Sequence, residues 1–114
     1  MLKVYHNPRC KKSRAGIEFL KSNAVDFEII EYFKTGLKHE AIKEILLKMN
    51  VNAEDLVRTQ EEYYKKELKG KKFNNDEWIN IIVDNPKLLK RPVAVAEHKA
   101  VLGDPAENFK VFIK

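Results

Sequence analysis

The sequence has little of what several classes of protein require. Its 114 residues include a single cysteine, four glycines and four prolines. One thiol cannot form an internal disulfide, which excludes a disulfide-stabilised scaffold. The low glycine and proline content argues against fibrous and disordered classes, and no apolar run reaches the length of about 18 residues that a membrane span needs. The N-terminal stretch lacks the apolar region of a secretion signal, so we expect a cytoplasmic protein without a membrane partner.

The residues that are present suit one compact domain. A hydrophobic content of 44% is enough for a core, and a net charge of +5 permits attraction to anions without identifying one. The densest basic run, residues 65–72, contains an acidic residue and follows two others, so we interpret it as a solvated segment. One cysteine and three scattered histidines show no metal-ligand spacing. We therefore predict no metal site. We also expect no bound cofactor.

Hydrophobic periodicity and turn residues predict the order of the secondary-structure elements. The predicted elements are, in chain order, a strand at 2–6, a helix at 11–22, a strand at 25–32, a helical block over about 37–86, strands at 93–96 and 100–102, and a last helix capped by Asp104. The order is thus β-α-β, a helical block, then β-β-α.

This order predicts an α/β fold in which the two outer units share one mixed sheet, as in thioredoxin and glutaredoxin. The right-handed crossover rule fixes the topology of the β-α-β unit. We expect a single domain over residues 1–114, with the helical block at about 37–86 as an insertion.

Cys10 lies where the first strand has ended and the first helix begins. A helix N-terminus presents unpaired N–H groups and the positive end of the helix dipole, which stabilise a thiolate or a bound oxyanion. A lone cysteine is more often a small buried hydrophobe. The position and the cationic neighbours nevertheless predict a functional thiol with a lowered pKa. Those neighbours are Arg9, Lys11, Lys12 and Arg14.

Ser13 occupies the position of the second cysteine in a Cys-x-x-Cys motif. Its hydroxyl can donate a hydrogen bond to the thiolate but cannot resolve a disulfide. Any adduct on Cys10 must therefore be resolved by an external thiol. His6, just upstream, is as compatible with an ordinary strand residue as with a role at the thiol.

Residues 5–14, Tyr-His-Asn-Pro-Arg-Cys-Lys-Lys-Ser-Arg, resemble the signature His-Asn-Pro-x-Cys-x-x-Ser-Arg of the glutaredoxin-coupled arsenate reductases. This is the ArsC family of the thioredoxin superfamily, and the resemblance extends over essentially the whole chain. Residues 56–58 match a Leu-x-Arg stretch of the family, and residues 91–92 match its Arg-Pro pair before the third strand. Residues 103–107 are similar to the opening of its last helix.

The resemblance implies a reaction. Cys10 as a thiolate would attack the arsenic of arsenate with loss of water. Glutathione, an external reductant, would then attack the adduct, and glutaredoxin would complete the reduction to arsenite.

The resemblance also implies roles for other residues. Arg58 and Arg91 would hold arsenate or a similar oxyanion, because the planar fork of donors on a permanently charged guanidinium suits a tetrahedral oxyanion. By its sequence context alone, Arg58 would be an exposed helix arginine. Pro92 would have the cis peptide bond that the superfamily places opposite the reactive cysteine. The remaining roles are a lowered pKa of Cys10 through His6 and an anion pocket shaped by Ser13 and Arg14.

Asp104 departs from the family pattern, because the well-studied arsenate reductases carry a third arginine at that position. Two alternatives to arsenate reduction therefore stay open. One is a related monothiol, glutathione-dependent reductase of an unknown substrate. The other is an Spx-like regulator that binds RNA polymerase, although Ser13 removes the Cys-x-x-Cys switch common in such proteins. Direct binding of nucleic acid is not predicted, because the aromatic residues fall on apolar faces and not among the basic runs.

Overall fold

The computed structural model describes residues 1–113, which fall into two compact units. The first unit joins residues 1–35 to the segment from Arg91 onward, and the second comprises residues 36–90. The single-domain organisation expected from the sequence stays a prediction. Within the described residues, no helix has both the length and the apolar character needed to cross a membrane.

The first unit is built on a four-stranded mixed sheet. Its strands are β1 (Leu2–Tyr5), β2 (Phe27–Ile30), β3 (Val93–Val95) and β4 (Ala100–Leu102), in the spatial order β2-β1-β3-β4. β1 pairs with β2 in parallel, and β3 pairs antiparallel with both β1 and β4. Helix α1 (Lys11–Ser22) connects the parallel pair, as a crossover connection must. This is the thioredoxin-like α/β fold that the sequence predicts.

Helix α1 buries one apolar stripe in the core of this unit. Ile17 and Leu20 are buried while Glu18 and Lys21 are exposed, as their spacing predicts. Each fully buried aliphatic side chain contributes about 1.5–3 kcal/mol to the hydrophobic driving force. The other members of the cluster come from the strands and the C-terminal segment: Leu2, Val4, Ala94 and Phe109.

The second strand is shorter than predicted. A strand over 25–32 is expected from the sequence, but β2 covers only Phe27–Ile30 because β1 offers four partners, from Leu2 to Tyr5. A short helix, α2 (Tyr32–Thr35), follows at once.

The last helix also differs from its prediction. It is a 3-10 helix over Ala106–Phe112 whose N-cap is Pro105, and no side chain caps it. The prediction that Asp104 caps this helix is therefore wrong. The Asp104 carboxylate instead forms an ion pair with Lys12 at 2.9 Å.

The second unit is helical, and local side-chain hydrogen bonds set where one of its two longer helices begins. Its longer helices are α3 (His39–Met49) and α4 (Asn75–Asp84). The predicted capping pair opens α4: Glu77 N–H donates to Asn74 Oδ1 at 2.8 Å, and Asn74 N–H donates to the Glu77 carboxylate at 2.9 Å. Shorter helical segments lie at Ala53–Leu56, Tyr64–Leu68 and Pro86–Leu88.

Candidate active site

Cys10 is the N-cap residue of α1. Its backbone is extended (φ −92°, ψ 123°), and its carbonyl accepts the first helical hydrogen bond from Arg14 N–H at 3.0 Å. Its own N–H donates to the Asn7 carbonyl at 3.0 Å, which closes the loop between β1 and α1. The side chain is partly exposed. The thiol thus lies at the positive end of the helix, open to a reagent.

The pKa of Cys10 lies below the ordinary value for a thiol. Burial is the largest single influence and acts in the opposite direction, because it disfavours the charged thiolate. Burial is outweighed by a hydrogen bond from the Arg91 side chain, by the positive charge of Arg91 and by the backbone N–H groups of Ser13 and Lys12. The direction agrees with the prediction from the sequence. Since the thiolate is the nucleophilic form, this environment favours reactivity.

Arg91 is held close to the thiol by the segment that leads into β3. Its side chain is only 8% exposed, and its peptide bond to Pro92 is cis, as the resemblance implies. The ring of Pro92 lies against α1, so closely that a Cβ built on Gly16 would be 2.6 Å from its Cγ atom. The structure therefore brings Arg91 and Cys10, two of the predicted site residues, close enough for the Arg91 side chain to act on the thiol.

His6 and Ser13 form a buried hydrogen-bonded pair beside Cys10. His6 Nδ1 lies 2.9 Å from Ser13 Oγ, and Asn7 N–H donates to the same oxygen at 3.0 Å. Since Ser13 Oγ accepts from Asn7, its hydrogen can be donated to Nδ1 of a neutral imidazole. The Ser13 hydroxyl is thus engaged with His6, and Ser13 acts on the thiolate through its backbone N–H.

The pKa of His6 is lowered, which favours that neutral form. Burial is the main cause, because His6 is only 7% exposed and the charged imidazolium would lose hydration. The carboxylate of Glu31 opposes this effect, while the charges of Arg14 and Lys21 add to it.

Arg14 and Arg58 have other partners. Arg14 is exposed and donates from Nη1 to the Pro8 carbonyl at 3.2 Å. Arg58 belongs to the second unit, where its guanidinium pairs with Glu61 at 2.6 Å. The roles proposed for these two arginines on the basis of resemblance stay predictions.

The family model described as "ArsC family" matches residues 5–112. The chain belongs to the ArsC family. The uncharacterized protein YfgD of Escherichia coli K12 is 39% identical over 109 residues, which cover 94% of this chain and 92% of that protein. A Neisseria meningitidis protein named arsenate reductase is 33% identical over 114 residues, covering 98% and 97% of the two chains.

A solved structure has the same fold. The arsenate reductase from Vibrio cholerae superposes on this ArsC chain with a TM-score of 0.90 at 28% identity, covering 98% of this chain and 97% of the other. The thioredoxin-like architecture of the sheet unit is therefore shared with proteins named for arsenate reduction.

Two features of this ArsC site were missed by sequence reasoning. The first is the Lys12–Asp104 ion pair, which no local pattern could reveal because its members are far apart in the chain. The second is Phe33, whose ring centroid lies 5.9 Å from the guanidinium carbon of Arg91. Its only sequence signal is an aromatic residue just after a strand. Across residues 1–113, no three His, Cys, Asp or Glu side chains come together as a metal site requires.

Proposed function

We propose that this chain reduces arsenate to arsenite through Cys10, with glutathione and glutaredoxin supplying the electrons. Family membership and the relatives named arsenate reductase support this proposal. The observation that carries it is a cysteine at a helix N-terminus whose pKa is lowered by the buried Arg91 side chain. Donors that stabilise a thiolate in this way also suit a tetrahedral oxyanion.

The reaction would begin with attack of the Cys10 thiolate on arsenic(V). A sulfur–arsenic bond forms, and one arsenate oxygen takes up protons and leaves as water, so the arsenic is still arsenic(V). Arg91 would stay beside the reacting atoms and stabilise the negative charge on the remaining oxygens. Arg58 is proposed as a second oxyanion ligand on the family resemblance.

Reduction to arsenic(III) needs two electrons that this chain cannot supply by forming an internal disulfide, since it has one cysteine. Glutathione would add its sulfur to the adduct with loss of a second water. A glutaredoxin thiol would then attack the glutathione sulfur. The bond between arsenic and glutathione breaks, and its electron pair stays on arsenic. The mixed disulfide carries the oxidation away, and water releases arsenite from Cys10.

The test is arsenite formation from arsenate with glutathione, glutaredoxin, glutathione reductase and NADPH. We expect turnover by the wild-type protein, loss of turnover in Cys10→Ser, and a decrease of about 100-fold or more in Arg91→Ala. Arg9→Ala removes an exposed arginine next to Cys10 and is the matched control for lost positive charge. Omitting glutaredoxin tests the proposed electron donor separately. Absence of turnover in a wild-type protein whose thiol still reacts would contradict arsenate as the substrate.

A related monothiol reductase of another substrate is the second candidate, and the Lys12–Asp104 pair favours it. The Asp104 carboxylate forms an ion pair with Lys12, two residues after Cys10. This pairing weakens the attraction of the site for a multiply charged oxyanion. Turnover of arsenate that appears only in Asp104→Arg would support this candidate over the first. The Spx-like alternative stays a hypothesis from the sequence. Ser13 argues against it, because Cys10 then has no second thiol with which to form the Cys-x-x-Cys switch.

A further inference from the structure

Phe33 is an aromatic residue held in place by a series of ring contacts. Its ring stacks on that of Tyr32, with centroids 4.8 Å apart and planes at 28°. Tyr32 is completely buried and packs against Tyr5 of β1, with ring centroids 6.4 Å apart. Phe33 itself is 41% exposed. The ring is thus anchored in the core on one side while much of its surface lies outside the core.

The ring of Phe33 contacts the cation that acts on the thiol. The guanidinium carbon of Arg91 lies 5.9 Å from its centroid, within the range of a cation–π contact. The same guanidinium lowers the pKa of Cys10 through hydrogen bonding and through its positive charge. These contacts are compatible, because a guanidinium offers its face to a ring while its N–H groups donate in its own plane.

We propose that Phe33 is a positioning residue, whose ring keeps the Arg91 guanidinium where it stabilises the Cys10 thiolate. In the proposed reaction the same contact would keep Arg91 beside the oxyanion. The inference rests on the proposed function only for this role of Phe33 beside the oxyanion. The role of Phe33 at the thiolate concerns the free enzyme and can be measured without arsenate.

The contact has a measurable consequence for the thiol. Without the ring, Arg91 occupies its position beside Cys10 for less of the time, so the thiolate loses part of its stabilisation. A cation–π contact of ordinary strength at a partly exposed site corresponds to a factor of about two to five in population. The pKa of Cys10 then rises toward its ordinary value.

The experiment measures the rate at which iodoacetamide alkylates Cys10 across a pH series. Only the thiolate reacts, so below the titration midpoint the rate follows the thiolate population. We expect Phe33→Leu and Phe33→Met, which lack a ring, to slow alkylation about two- to fivefold there. Phe33→Tyr keeps the ring and should react at the wild-type rate. If one ringless variant fails to fold, the other provides the test.

A matched control comes from a second cation–π pair in the same unit. Lys99 Nζ lies 5.4 Å from the ring centroid of Phe112, and neither residue contributes to the pKa of Cys10. Phe112→Leu should leave the alkylation rate unchanged, provided that thermal unfolding shows a folded protein.

A double substitution shows whether Phe33 acts through Arg91. If it does, Phe33→Leu has no further effect in an Arg91→Ala background. An unchanged rate in both ringless variants, or an equal decrease with and without Arg91, would overturn the inference. Failure of arsenate turnover in the wild-type protein would contradict the proposed function and leave the alkylation result intact.

Discussion

The start of α4 in one unit of the chain and the reactive site in the other depend on interactions of different range. In the helical unit, residues 36–90, α4 begins where side chains bond to the backbone three residues away, at Asn74 and Glu77. In the sheet unit, the decisive contacts join segments that are distant in the chain, such as Arg91 with Cys10. The difference indicates that local chemistry sets the start of α4, whereas the reactive site exists only once the sheet has assembled.

The largest loss of stability is expected from adding a side chain where the backbone of the sheet unit lies against a buried ring. A Cβ on Gly103 would lie 2.3–2.7 Å from three ring atoms of Phe109, which is completely buried. We expect Gly103→Ala to lower the free energy of unfolding by about 3 kcal/mol, because the ring has no room to move. Urea unfolding measures this loss.

The helical unit supplies the control for that substitution. Gly70 has a positive φ of 83°, and nothing lies within 4 Å of a Cβ built on it. Gly70→Ala should cost about 1 kcal/mol through its backbone conformation alone. A Gly103→Ala loss no larger than this would contradict the contrast between the two units.

A smaller loss is expected from the helix start of α4. Asn74→Ala removes the side chain that accepts from Glu77 N–H and should lower the free energy of unfolding by about 1 kcal/mol. Asn74→Asp keeps an acceptor at the same place and should remain near the wild-type value in the same urea experiment. An equal loss in both variants would show that the cap is not the cause.

The third predicted loss of stability concerns His6 and appears only at acidic pH. Because the pKa of His6 in the folded protein is below its ordinary value of 6.5, the unfolded chain takes up the proton first as the pH falls. The stabilisation is therefore fully present above about pH 6.5 and decreases below it. His6→Gln cannot be protonated and should show a flatter dependence between about pH 5 and 8. Parallel profiles for the two proteins would assign the acid sensitivity to other groups.

Local signals explain which parts of the fold could be predicted. The bounds of α1 and the capping pair of α4 follow from residues a few positions apart, and both predictions are confirmed. The position of Cys10 follows from a strand, a break and a helix in direct succession. The short β2 could not be predicted, because its length depends on how many residues β1 offers.

The contacts around the thiol could be predicted only in part. The neighbours of Cys10 in sequence indicated a lowered pKa, but the resemblance was needed to draw attention to Arg91. The contact of Phe33 with Arg91 and the ion pair of Asp104 depend on how distant segments pack, which no pattern along the chain records. The sequence instead suggested a cap at Asp104, because acidic residues before a proline commonly have that role.

The smallest effect on stability, with a specific effect on reactivity, is expected from Asp104→Asn. Its pair with Lys12 is exposed, so the loss in stability should be at most about 1 kcal/mol. The freed Lys12 ammonium, two residues after Cys10, should make the site more attractive to anions. We therefore expect alkylation by anionic iodoacetate to rise relative to neutral iodoacetamide, and the rise to diminish in high salt. Glu97→Gln removes an equally negative, exposed side chain from the turn between β3 and β4 and should leave this ratio unchanged. If the two variants change the ratio equally, net charge rather than the Lys12–Asp104 contact governs access of anions to Cys10.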